Sequence, residues 1–76
     1  MNKRQQLMEY TTQDIIAYLV EDDNMDFIDA MQEFYASETC TKLFDEETGL
    51  YLESSAYLYD IFRNERQAGH LVQLEY

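Results

Sequence analysis

Residues 25–35 read Met25-Asp26-Phe27-Ile28-Asp29-Ala30-Met31-Gln32-Glu33-Phe34-Tyr35. Phe27, Ile28, Met31, Phe34 and Tyr35 fall at the spacing that gathers apolar side chains on one stripe of an α-helix, with Asp29, Gln32 and Glu33 turned to water. The start is signalled as well. Asp26 can cap the first turn, Asp29 follows three residues later in a carboxylate version of the capping box, and Met25 precedes the cap as a staple residue. The helix predicted here, over 27–36, needs apolar partners, and the chain offers one helix on each side of it.

Upstream, Leu7, Met8, Thr11, Ile15, Tyr18 and Leu19 recur at three- and four-residue intervals and predict a helix over 5–21. Tyr10 and Ile16 widen its apolar face, so it is expected to meet more than one neighbour. The acidic turn Glu21-Asp22-Asp23-Asn24 then opposes the helix dipole with nothing cationic nearby in sequence. Either solvation tolerates that conflict or a partner uses it. Downstream of the central helix, Ser37 reads as a second cap opening a brief turn to Phe44, either a bend or a separate helix. Asp45-Glu46-Glu47-Thr48-Gly49 is the main loop, with Gly49 at a positive φ, and Leu50-Tyr51-Leu52 is expected to be extended against the core. Ser54 or Ser55 caps a last helix over 55–67, striped by Tyr57, Leu58, Ile61 and Phe62, with Arg63 and Arg66 suited to its C-terminal dipole and Gly69 as its stop. Residues 70–76 alternate weakly and read as an extended tail: an added strand, a docking tail or a flexible one. The expected fold is all-α: one small domain over 1–76, a three-helix bundle with a C-terminal tail.

With 76 residues only one domain fits, burying roughly 60% of the surface its unfolded form exposes. Net stability from such a core is a few kcal/mol, so a second copy or a partner is a natural supplement, and a homodimer stays open. The charge of −11 would fit a disordered chain, but 46% apolar and 14% aromatic residues with no Pro argue for a core. Between Gln5 and Phe62 stand fourteen acids and one base, Lys42. Direct nucleic-acid binding and anionic membrane surfaces are therefore disfavoured, and a basic or cleft-bearing protein is the expected partner. No run approaches the roughly 20 apolar residues of a membrane span, so a soluble, cytoplasmic protein is expected.

Catalytic and metal chemistry find little footing. Cys40 and His70 are single, so neither an internal disulfide nor a Cys/His zinc site can form. Asp22, Asn24, Asp26 and Glu33 match four positions of a calcium loop, but Phe27 stands where that loop needs Gly, and the same residues carry the strongest helix signal. Gly49 and Gly69 make no phosphate-binding loop, and Ser54 and Ser55 lack a nearby base. No enzyme activity and no cofactor are expected.

Tyrosine is the other unusual feature: there are seven. Tyr57 and Tyr59 diverge by about 200° on a helix, so both cannot face one core side. Tyr57 shares the stripe with Ile61, which assigns Tyr59, beside Asp60, to an outward aromatic and acidic face. The candidate partner-binding residues are Asp22 and Asp23 in the acidic turn, Glu46 and Glu47 in the main loop, Tyr51 in the connecting segment, and Tyr59 and Asp60 on the last helix. Tyrosine is enriched at interfaces, although it also fills the edges of small cores.

The strings Glu33-Phe34-Tyr35-Ala36-Ser37-Glu38 and Glu47-Thr48-Gly49-Leu50-Tyr51-Leu52-Glu53-Ser54-Ser55-Ala56-Tyr57 resemble a group of small, uncharacterised acidic helical bacterial proteins, over about residues 8–62. Members of that group sit in operons of toxin–antitoxin character, some beside ADP-ribosyltransferase-like toxins. The resemblance implies a regulatory or neutralising partner protein; it assigns no site residues. Two functions are thus expected to compete: a non-catalytic interaction module that modulates a partner, antitoxin-like, and a nucleic-acid mimic that blocks a nuclease or DNA-binding protein.

Overall fold

The computed structural model describes residues 2–68; the tail expected at 70–76 and the stop at Gly69 lie outside the described residues. Helix α1 spans Lys3–Asp22. It begins ahead of the expected residue 5 because the Asn2 side chain accepts the Gln5 N–H at 2.8 Å, satisfying an otherwise orphaned donor. At its far end Asn24 adopts φ +56°, a left-handed conformation that Asn tolerates better than most residues. Helix α2 spans Phe27–Tyr35, capped by Asp26, whose carboxylate accepts the Ile28 N–H at 3.3 Å.

Ser37 opens a separate helix, α3, over Glu38–Leu43, the second of the two forms its sequence allows. The described residues therefore form four helices. The reason is a doubled cap. Ser37 Oγ accepts the Cys40 N–H at 3.1 Å. Glu65, from the last helix, accepts the N–H groups of Glu38 at 2.8 Å and Thr39 at 2.9 Å, and the Thr39 hydroxyl at 2.6 Å. A carboxylate at a helix N-terminus also meets the positive end of its dipole. Three of the four orphan donors are thereby satisfied by side chains, enough to hold a helix of 6 residues.

Two short 3₁₀ turns follow, Glu46–Thr48 and Leu50–Leu52, joined by Gly49 at φ +68°. Leu50-Tyr51-Leu52 is thus not extended. A lone three-residue strand would leave its backbone groups unpaired, whereas the 3₁₀ turn closes Leu52 N–H on Gly49 C=O at 3.0 Å. Leu50 and Tyr51 rest half-buried against the core, but Leu52 is 71% exposed.

Helix α4 spans Ser55–Ala68. Ser54 is its cap, accepting the Tyr57 N–H at 3.1 Å, and Ser55 instead donates to Asp14 at 2.7 Å. Ser55 meets Asp14, Tyr59 meets Tyr18 and Asp22, and Arg66 meets Asp23, so α4 runs in the same direction as α1.

The core draws on all four helices: Met8, Ile15, Ile16 and Leu19 from α1, Ala30 and Phe34 from α2, Cys40 and Leu43 from α3, and Leu58, Tyr59, Ile61 and Phe62 from α4. Phe34 packs edge-on against Phe62, ring centroids 5.3 Å apart at 77°, a favoured geometry for a buried aromatic pair. The shortest dimension is 18 Å, about two helix layers at 8–10 Å between axes. A body this thin has little interior, and two expected stripes are corrected for that reason. On α1, Leu7 and Tyr10 are exposed and Thr12 is buried, while Ile16 lies in the core as expected; on α2, only Ala30 and Phe34 are buried, and Phe27, Ile28 and Tyr35 face solvent.

The Glu65 cap yields a direct test. Glu65→Ala removes three acceptor contacts from α3 and is expected to destabilise the protein by about 1.5–3 kcal/mol, the range for hydrogen bonds to charged groups. Thermal unfolding followed by circular dichroism should shift down by roughly 4–8 °C per kcal/mol. An unchanged midpoint would mean that Ser37 alone holds α3.

Candidate functional site

The residues read from sequence as partner-binding do not converge. Asp22 and Asp23 are engaged inside the fold: Asp22 accepts the Tyr59 hydroxyl at 3.0 Å, and Asp23 is paired with Arg66. The acidic turn that lacks a cation in sequence finds one in space, from α4, so its conflict with the α1 dipole is offset within the chain. Glu46 lies 3.4 Å from Arg4 with both side chains more than half exposed, a contact that water and salt largely screen. Glu47 and Asp60 are exposed, and Tyr51 is half-buried against the core. Arg4 and Asp22 stand near opposite ends of α1, roughly 27 Å apart at 1.5 Å per residue. The two acidic groups therefore lie near opposite ends of α1.

Tyr59 requires the clearest correction. It is 7% exposed, with its ring 5.0 Å from Tyr18 and the Arg63 guanidinium 5.7 Å above it. The divergence of Tyr57 and Tyr59 holds, but α4 is packed on more than one side: α1 covers Tyr59, while Phe62 meets α2. An outward Tyr59 beside Asp60 does not exist. Burial, and then the hydrogen bond to Asp22, push the Tyr59 hydroxyl up to about 12 from an ordinary 10.0, with Asp22 and Asp23 adding to the rise and Arg63 opposing it. Burial likewise raises the Cys40 thiol to about 11, with Glu65 contributing, so at neutral pH it is a protonated, enclosed group without nucleophilic character.

Outward aromatics do occur, on α2. At 3.6 residues per turn Ala30, Phe34, Phe27, Met31, Tyr35 and Ile28 succeed one another over roughly 160° of the helix circumference. The core takes Ala30 and Phe34, and Met31 packs partly against it. Phe27, Ile28 and Tyr35 remain 57%, 53% and 54% exposed. Three such side chains present roughly 300–400 Å², the scale at which an apolar patch on a monomer is often functional. The other exposed large apolar residues, Leu7, Tyr10, Phe44 and Leu52, are divided among α1, the end of α3 and the second 3₁₀ turn. The width of the α2 stripe was the available signal: a thin body cannot cover it.

Beyond Ile28 the surface of α2 turns polar. Asp29, Gln32, Glu33 and Ala36, with Met25, line an open depression of about 420 Å³. Asp29 and Glu33 are four residues apart and so share one helix face. Residues 27–33, which a calcium loop would need as coil, are helical. Among the described residues no three His, Cys, Asp or Glu side chains are grouped so as to hold a metal ion, and no helix is long and apolar enough to cross a membrane. Compared with protein-family models, with curated proteins and with solved structures, the chain matches none.

Tyr59 gives a pH-dependent test. The folded protein holds the phenolic proton more tightly than the unfolded chain, so its contribution is full below pH 10.0 and is lost as pH rises through about 12. Tyr59→Phe should cost about 0.5–1.5 kcal/mol at neutral pH and flatten the alkaline loss of stability. Urea unfolding of both proteins from neutral to strongly alkaline pH reads this directly. Parallel alkaline slopes would place the hydroxyl in water.

Proposed function

We propose that this chain is a non-catalytic, acidic protein-interaction module of the cytoplasm that binds a partner protein and modulates or neutralises it, in the manner of an antitoxin or inhibitor. The observation that carries this is the α2 ridge: Phe27, Ile28 and Tyr35, each more than half exposed on a helix capped at its start and anchored beneath by Phe34. Burying such residues against a partner regains the transfer free energy that folding left unused, and aromatic side chains dominate the energetics of protein interfaces. The acidic surface supports the same reading in a second way. It would steer a basic partner toward the ridge and raise the association rate, with the ridge then setting how long the complex lasts.

The ridge also separates this reading from a nucleic-acid mimic, which presents carboxylates in place of phosphates and relies on charge. Binding to a mimic falls steeply with salt and depends little on any apolar side chain. The deciding experiment uses the chain as immobilised bait in lysate of its source cell, beside Ile28→Ser/Tyr35→Ser, with quantitative mass spectrometry. Substitution of exposed residues changes stability by only about 0.5 kcal/mol, so the variant should melt like the parent. The expected outcome is a discrete protein retained by the parent and lost from the variant, and still retained at moderate salt. Retention of the same nuclease or DNA-binding protein by both baits, abolished by salt, would establish the mimic instead.

A further inference from the structure

We draw no further inference here: the strongest candidate, the exposed apolar ridge of Phe27, Ile28 and Tyr35 on α2, carries none beyond the reading above, since nothing in the structure shows what covers it.

Discussion

The seam where α4 meets α2 and α3 is the constraint on which the rest of this structure depends. Phe62 fills the side of Phe34, and one turn further along α4 the Glu65 carboxylate closes the start of α3. The first contact is apolar and the second polar, and they act on the two sides of the Ser37 bend. Without them the central helix would have only α1 to lean on, and the six residues of α3 would be too few to persist as a helix in water. Thr39, fully enclosed, depends on the same carboxylate for its hydroxyl, so the seam also satisfies a polar group that would otherwise be costly to bury.

Thinness then decides what reaches the surface. A body about two helices deep can bury one edge of a broad apolar stripe, and on α2 that edge is Ala30 and Phe34. Phe27, Ile28 and Tyr35 stay in water because no third layer stands over them. Most of the acidic groups do not crowd onto that ridge. Several work inside the fold as helix caps or as partners of Tyr59 and Arg66. A negative chain is thus two things at once: a scaffold that spends some carboxylates on its own backbone, and a surface that leaves Asp29 and Glu33 unengaged.

The parts of this fold legible in the sequence are those decided by neighbours a few residues away. Asp26, Ser37 and Ser54 cap helices because a short side chain reaches an N–H two or three positions on, and Gly49 takes a positive φ because nothing else does so freely. The illegible parts are decided across the chain. Nothing near Glu65 marks it as the cap of a helix 26 residues earlier, and nothing near Asp23 announces Arg66. Tyr59 failed for a related reason. Helix geometry separates it from Tyr57, but which of them is covered depends on how many neighbours α4 has. For α2 the periodicity correctly located the helix and its stripe, and only the depth of the domain, invisible in a single sequence, determined how much of that stripe would stay wet.

The long reach of these ties has a kinetic consequence. Asp14 waits for Ser55, Asp22 for Tyr59, Asp23 for Arg66 and Thr39 for Glu65, gaps of 41, 37, 43 and 26 residues. Each such closure sacrifices chain entropy before it returns any stabilisation. On the ribosome, α1 and α2 emerge first but cannot be locked until residues 55–66 have followed them out. Phe34 and Phe62 therefore stay apart until α4 has been made and packs alongside α1.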